Sequence, residues 1–282
     1  MIEIKSLTKT YDKAIAVDNI SLKIETGEFF GLLGPNGAGK STTIGMLSTL
    51  LIPKKGEIFI DGQQLVRSNS QLKKKIAVVT QEYSMRQDMT LEEVMEYQGR
   101  LYSIPKKERK ERTRELFEFT NLTQHRLKTV RQLSGGMKRL LMVARALLLK
   151  PEILLLDEPT AGMDVMARRR MWSLLKKLNK AGLTIILTTH YIEEAQSLCE
   201  RVAFIDKGRI EAIDSPSAFI ESLGVYAVDM QKGEEVSTAY FKNKGAALEM
   251  AANTSGECTL RSTTLEDVYV SVVGHNIAKD VK

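Results

Sequence analysis

Gly34-Pro35-Asn36-Gly37-Ala38-Gly39-Lys40-Ser41 fits the pattern G-x-x-x-x-G-K-[ST]. Its neighbours decide how it is read. Before it, Glu28-Phe29-Phe30-Gly31-Leu32-Leu33 is short and mostly apolar, bounded by Gly27 and Gly34, as a buried strand is. After it, Thr42 through Leu51 reads as a helix. A glycine loop joining the two brings backbone N–H groups and a helix N-terminus onto one anion. Glycine permits the close backbone approach that a Cβ blocks. Lys40 adds positive charge toward the β- and γ-phosphates of a nucleotide, and Ser41 offers a hydroxyl to magnesium. A glycine-rich turn matching by chance would lack the strand before and the helix after.

Downstream, Ile153-Leu154-Leu155-Leu156 runs directly into Asp157-Glu158-Pro159. Such a run suits a strand buried on both faces of a parallel sheet. A carboxylate at its C-terminal end sits where open α/β sheets bind ligands. Asp157 is expected to hold magnesium, directly or through water. Glu158 comes next, and side chains alternate along a strand, so it is expected to point elsewhere and to act as general base for an attacking water. Alone, the segment would read as an ordinary strand with an acidic end.

Between these two segments, Leu133-Ser134-Gly135-Gly136-Met137 resembles the signature motif of ATP-binding cassette (ABC) transporter ATPases. Further elements resemble the same family in the same order. Tyr11 resembles the aromatic that stacks on adenine. Gln81, after the strand-like Ile76-Ala77-Val78-Val79, resembles the Q-loop glutamine, which takes part in catalysis and meets magnesium. Asp164, in Ala161-Gly162-Met163-Asp164, resembles the D-loop aspartate, and His190, after Leu183 to Thr189, resembles the catalytic switch histidine. The ATP contacts implied are Tyr11, the loop residues Gly34, Pro35, Asn36, Gly37, Ala38, Gly39, Lys40 and Ser41 with Thr42, and Ser134, Gly135, Gly136 and Asp164. Magnesium is implied at Ser41, Gln81 and Asp157. Gly-Gly-Met-Lys-Arg at 135–139 and Thr-Leu-Glu-Asp-Val-Tyr-Val at 264–270 are similar to the ATPases of multidrug, daunorubicin-type and nodulation-type exporters. Met137 departs from the usual signature glutamine; phosphate contacts are expected from Ser134 and nearby amides, so function is expected to survive. Gly162-Met163 is an unusual D-loop pair and leaves the dimer packing open.

The resemblance implies an α/β P-loop cassette with a mostly parallel core sheet, an antiparallel β flap and a helical subdomain. The cassette spans 1–220, with the helical subdomain at about 82–150, and 221–282 forms a small C-terminal α+β region whose role is read as packing or dimer support. It also implies an ATPase whose signature motif faces the nucleotide of the opposite subunit. The chain carries each motif once, so two copies would complete two sites, which suits a homodimer, though a different cassette partner is not excluded. The partner beyond that is an integral membrane permease subunit, contacted near Tyr83, Met85 and Met89, whose spacing looks like an exposed apolar spot. No nucleic acid is expected. The rival reading, a soluble ABC-type ATPase acting on DNA or ribosomes, is disfavoured by a single cassette, no heptad insertion and no cysteine cluster.

Composition agrees without deciding. Hydrophobic residues make up 43% and charged residues 27% of 282, ordinary for a globular protein. A net charge of +6 fits work beside an anionic membrane surface, or simple solubility. No apolar run approaches a membrane span; the richest, Leu140 to Leu149, contains Arg145. Met1-Ile2-Glu3-Ile4 is not an apolar signal segment, so a cytoplasmic chain at the inner face of the membrane is expected. Cys199 and Cys258 match no metal spacing and read as free thiols. His125 and His275 lie in no motif. Strands are expected at 2–7, 18–24 and 58–60. Helices are expected from Leu91, capped by Thr90, and over Lys106 to Phe119, whose charge run reads as a solvated face. In the C-terminal region, strands are expected at 225–230 and 258–261 and helices near 244–252 and 265–273.

Overall fold

The order of elements follows the switching of hydrophobic period along the chain. β1 (Ile2–Tyr11) and β2 (Ala14–Ile24) precede the buried β3 (Phe29–Leu33), the glycine loop and α1 (Lys40–Leu47). Then come β4 (Lys55–Ile60), β5 (Gln63–Gln64), α2 (Ser70–Lys74) and β6 (Ile76–Val79). Helices α3 (Leu91–Leu101), α4 (Lys106–Phe119) and α5 (Gly135–Leu147) follow. β7 (Ile153–Asp157), α6 (Val165–Lys180), β8 (Thr184–Thr189), α7 (Ile192–Leu198) and β9 (Arg201–Asp206) return to an alternating pattern. β10 (Arg209–Asp214) and α8 (Pro216–Leu223) lead to β11 (Tyr226–Lys232), β12 (Glu235–Phe241), α9 (Lys244–Asn253), β13 (Cys258–Ser262) and α10 (Leu265–Asp280). The computed structural model describes every residue except 13, 84, 233, 234, 255, 281 and 282, and all other side chains except those of 232, 235, 236 and 274–280.

Six strands form the central sheet in the order β10-β9-β3-β8-β7-β6, parallel from β9 to β6 with β10 antiparallel at one edge. Every residue of β3, β7 and β8 is buried, as strands covered on both faces require. Alternate residues serve opposite faces. Leu154 and Leu156 join a core with Leu141 of α5 and Met171 of α6, whereas Ile153 and Leu155 join a second core with Ile44 of α1 and Ile4 of β1. β2, β1, β4 and β5 make a separate antiparallel sheet over that second core. No described helix is long and apolar enough to cross a membrane. Cys199 and Cys258 are free.

Several expectations shift. The helix after the loop starts at Lys40, on the loop itself, and ends at Leu47 rather than Leu51. Thr49 adopts φ 62, and Leu51 folds back so that its amide donates to Gly45 O at 2.8 Å. The two flap strands are longer than their alternation suggests because β1 carries register shifts between Ile4 and Thr10, which break the period-2 signal. The charge run of α4 is not wholly a solvated face. Arg109 is buried and pairs through Nε and Nη2 with both carboxylate oxygens of Glu96, at 2.5 and 2.6 Å. Glu96 is held far below its usual range, at about 2, by Arg109 and then Arg100. Of the three residues expected to form an exposed apolar spot, Met85 is buried in the core, Met89 packs against it, and only Tyr83 is substantially exposed. Thr90 caps α3 as expected, in a reciprocal arrangement with Glu93.

In the C-terminal part, β11 lies between β12 and β13, all antiparallel, and α9 packs on that sheet. β12 was not among the expected strands. α10 returns to the central part: Leu265 is fully buried and its amide donates to Gln196 Oε1 of α7 at 3.0 Å. Phe204 of β9 stacks on Phe219 and meets Tyr269 of α10 edge-on. Arg261 joins β13 to its surroundings, pairing with Asp229 at 2.6 Å and with Asp267 at 2.7 Å. Arg261 holds the Asp267 carboxyl down at about 2, with help from Thr264. Because this pKa lies below the 3.8 of an unperturbed Asp, the ionised carboxylate stabilises fully above about pH 4 and loses its contribution as pH falls through 2. Asp267→Asn should therefore lower unfolding free energy in urea at pH 7 by about 1–2 kcal/mol, discounted for a partner that is one-third exposed. That deficit should hold steady from pH 7 to about 4; a deficit that already shrinks near pH 6 would contradict the assignment.

Candidate nucleotide site

Lys40, the first residue of α1, is only 4% exposed. Its ammonium donates to Gly34 O at 2.9 Å and Pro35 O at 3.0 Å, and lies 3.4 Å from Glu158 Oε1. Burying a charge is costly without partners, and two carbonyls and a carboxylate supply them. Gly39 caps α1 at φ 103; a Cβ there would meet Ala16 O of β2 at 2.3 Å. A Cβ on Gly34 would meet Ile205 O of β9 at 2.1 Å. The loop is thus clamped between two strands and requires glycine at both positions. Because α1 opens here, the amides of its first turn have no partner within the helix.

The carboxylates come from the end of β7. Ser41 Oγ donates to Asp157 Oδ1 at 3.0 Å, and Thr188 Oγ1 donates to the same oxygen at 2.6 Å. The Glu158 amide meets the Thr188 hydroxyl at 3.2 Å and its carbonyl at 3.1 Å. Strand alternation does not aim Glu158. The strand ends at Asp157, and Glu158 adopts φ 47, a left-handed turn that swings its side chain to Lys40. Such a conformation costs a non-glycine residue roughly 1–2 kcal/mol and is found where the surroundings impose it.

Glu158 Oε2 is 3.1 Å from His190 Nδ1, just past β8. The contact is off the direction of a hydrogen bond, and the buried Nδ1 has no other partner. Gln81 Nε2 donates to the same carboxylate oxygen at 3.5 Å. A cleft of about 340 Å³ opens over the loop, lined by Ala16, Asn36, Gly37, Ser41, Gln81 and Glu158 among others, including Thr42.

The expected site residues fall into two groups. Lys40, Ser41, Gln81, Asp157, Glu158 and His190 converge, with Asn36, Gly37, Gly39 and Thr42 in the cleft wall. Gly34, Pro35 and Ala38 shape the loop; the Ala38 carbonyl accepts from Gly208 N at 3.1 Å. Tyr11 stands at the end of the β1–β2 hairpin, 45% exposed, with Lys9 Nζ 5.5 Å from its ring centre. It does not line the cleft, although Ala16 of the same hairpin does. Ser134, Gly135, Gly136 and Asp164 are not in the cleft wall either. Ser134 caps α5 through Met137 N at 3.3 Å, and Asp164 caps α6 through Ala167 N at 2.8 Å. A Cβ on Gly136 would lie 3.0 Å from Ala167 Cβ, so the two helix starts adjoin.

Three positioning residues escaped the sequence reading. Thr188 ties the Asp157 carboxylate and the Glu158 backbone amide, and its signal was a Thr-Thr pair ending an apolar strand. Glu194 of α7 is fully buried, accepting from Thr160 Oγ1 at 2.8 Å and Trp172 Nε1 at 2.9 Å; burial pushes its pKa up. It thereby anchors the loop after Glu158. Arg139 of α5 donates to Thr80 O at 2.7 Å, beside Gln81.

Known proteins resemble this chain. A family model described as ABC transporter matches residues 17–161. The linearmycin resistance ATP-binding protein LnrL of Bacillus subtilis is 39% identical over 224 residues, covering 79% of this chain and 72% of that protein. The Nod factor export ATP-binding protein I of Cupriavidus metallidurans is 34% identical over 298 residues, covering 98% of each. The ATP-binding cassette MJ0796, solved as a dimer in a post-hydrolysis state bound to ADP and Pi, superposes with a TM-score of 0.70 at 31% identity, covering 76% of this chain and 98% of that one. The chain belongs to the ABC transporter family as an ATP-binding, ATP-hydrolysing subunit.

Proposed function

We propose that this chain works as half of a cassette dimer that hydrolyses ATP to drive export through a separate membrane subunit at the cytoplasmic face of the cell membrane. The observation that carries the reading is the division of its motifs. Lys40, Asp157, Glu158 and His190 meet at one cleft, while Ser134 and Asp164 are exposed, capping helices outside it. A serine and two glycines at a helix start are suited to phosphate, and a second copy facing head to tail would bring them to this cleft. Val165 and Met166, both 61% exposed beside Asp164, give that face an apolar component. The dimeric relative and the names of the two export and resistance relatives support the same reading.

Within the cleft, Lys40 takes the charge of the ATP β- and γ-phosphates, and its pairing with Glu158 loosens as it does so. Glu158 then accepts a proton from the water that attacks the γ-phosphorus as the bond to the ADP oxygen breaks. His190, with Nδ1 3.1 Å from the far oxygen of Glu158, stands beside the carboxylate, where a small turn of its ring would make the hydrogen bond that holds it. Ser41 Oγ and Asp157 Oδ1, 3.0 Å apart, with the Gln81 amide nearby, offer the hard oxygen donors that suit Mg²⁺. Mg²⁺ bound there would neutralise charge on the β- and γ-phosphate oxygens. Tyr11 would stack on adenine from the hairpin end.

The face for the membrane subunit is assigned to α3 and the groove beside it, whose wall includes Met85 and Met89, rather than to Tyr83. Tyr97 and Leu101 are 61% and 63% exposed, and a groove of about 380 Å³ runs past Arg86, Met89, Tyr97, Gln98 and Arg145. It continues into a second of about 490 Å³ that includes Leu50, Lys73, Lys74 and Tyr102. Apolar ground rimmed by cations suits a short cytoplasmic helix of a membrane protein close to anionic lipid.

Calorimetry and ATPase assays test the site together. Lys40→Ala should abolish tight Mg-ATP binding, and Glu158→Gln should keep binding while losing about 10²–10⁴ in turnover. Unchanged binding in the first or near-normal turnover in the second would remove the assigned role. For the docking face, Tyr97→Ser with Leu101→Ser should leave ATP affinity of the isolated chain within about twofold, as surface changes do, while the membrane subunit no longer co-purifies. Co-purification at the parent level would move the docking face elsewhere.

A further inference from the structure

Arg139 lies on α5, in the second turn after Ser134, and is 3% exposed. Its Nη1 donates to the carbonyl of Thr80 at 2.7 Å, its guanidinium sits 4.9 Å from the Tyr83 ring centre, and its Nε has no hydrogen-bond partner among the described residues. Tyr83 reaches back to the start of the same helix, where its hydroxyl donates to Gly135 O at 3.2 Å. Lys138 Nζ lies 5.8 Å from the same ring. The Thr80 hydroxyl donates to Glu82 O at 3.0 Å and folds the segment into a tight turn. Gln81 is carried on that turn, between the two residues that α5 grips.

A buried guanidinium with an unsatisfied donor is a costly way to fill a helix interface. Leu or Met would pack there without an orphaned N–H, and neighbouring Leu141 and Met142 do so. What only the cation supplies is a charge-assisted bond to the Thr80 carbonyl and attraction for the Tyr83 ring face. Tyr83 is 39% exposed, so its ring is not held by core packing. It is held by the contacts to α5. Arg139 and Tyr83 therefore fasten both ends of the Gln81 turn to the helix whose first residues follow Ser134.

We infer that Arg139 and Tyr83 are positioning residues that latch the Gln81 turn to the first two turns of α5, so that Gln81 and Ser134 of one chain move as a unit. The inference rests on the proposed role of Gln81 at the γ-phosphate. A shift of Gln81, which contacts Glu158 Oε2 at 3.5 Å, is then delivered to the Ser134 turn of the same chain, and through it to the nucleotide of the opposite subunit. Coupling of this kind needs a physically connected element that both sites bias, and the latch supplies it in two side chains.

The test is a double-mutant cycle on ATP turnover by the full chain, with fluorescent-ATP binding and melting temperature measured alongside. Arg139→Met keeps apolar bulk and removes the guanidinium, Tyr83→Phe removes one hydroxyl, and each is made alone and with Gln81→Ala. Each single change should lower kcat about two- to thirtyfold, the range of coupling lost along such connections, with KM little changed. On the Gln81→Ala background neither should lower it further, because residues acting through one group do not add. Arg139→Lys, which returns a cation to the ring face, should recover part of kcat. Losses that multiply on the Gln81→Ala background, or parent-like turnover in both single variants, overturn the latch. Parent-like turnover in Gln81→Ala alone instead overturns the role of Gln81, and the latch with it. If Arg139→Met melts early and loses ATP binding, Tyr83→Phe decides.

Discussion

One hydroxyl holds the catalytic end of this fold together. Thr188 Oγ1 donates to Asp157 Oδ1 at 2.6 Å and meets the Glu158 amide at 3.2 Å. It is in position because β7 and β8 run parallel in a register that sets Asp157 opposite Thr188. The Asp157 carboxylate and the Glu158 backbone are thereby fixed to a residue that is fully buried. Glu158 can then hold an unfavourable φ, because its amide is satisfied and its carboxylate is drawn toward Lys40. Lys40 is positioned by a loop that only glycine can make at 34 and 39. Strand register, loop chemistry and a buried ion pair thus depend on one another.

Much of this was legible in the sequence, and the reasons are specific. The apolar runs of β3 and β7 announced strands buried on both faces, and the glycine loop between strand and helix announced phosphate chemistry. Thr90 announced the start of α3 to the residue, and the structure adds Glu93 as its capping partner. The failures are equally physical. The end of α1 was missed because a left-handed Thr49 and the return of Leu51 onto Gly45 stop the helix, neither of which is a periodicity signal. Alternation misled at Glu158 because the strand ends one residue earlier. Met85 looked exposed beside charged neighbours, but side-chain direction in an irregular segment has no period to read, and it packs into the core. Arg109 read as part of a solvated charge run, and Arg139 only as part of the stretch at 135–139; each is buried because a specific acceptor, Glu96 or the Thr80 carbonyl, lies opposite, and long-range pairing leaves no local trace.

The same buried polar groups suggest how the site communicates. Glu194 ties α7, two residues into the helix that follows His190, to Thr160 behind Glu158. Gln196, on the same short helix, accepts from the first amide of α10. Arg139 ties α5 to the Gln81 turn. Each link joins a residue near the cleft to an element that reaches away from it. The links through buried Glu194 and Arg139 are costly when broken singly, so the segments they join around the cleft are better described as rigid units than as independent loops.

The central claim is that one chain holds half of each site, and that ATP brings the halves together. Light scattering of Glu158→Gln with and without Mg-ATP tests it most directly, since on the proposed role of Glu158 as general base its loss lets the bound state persist. The account predicts the mass of the 31.6 kDa chain without nucleotide and a doubling of that mass on adding ATP. It also predicts that a Ser134→Arg change in the same background prevents the doubling while leaving ATP bound. A Glu158→Gln chain that binds ATP tightly and stays at the mass of a single copy would contradict it.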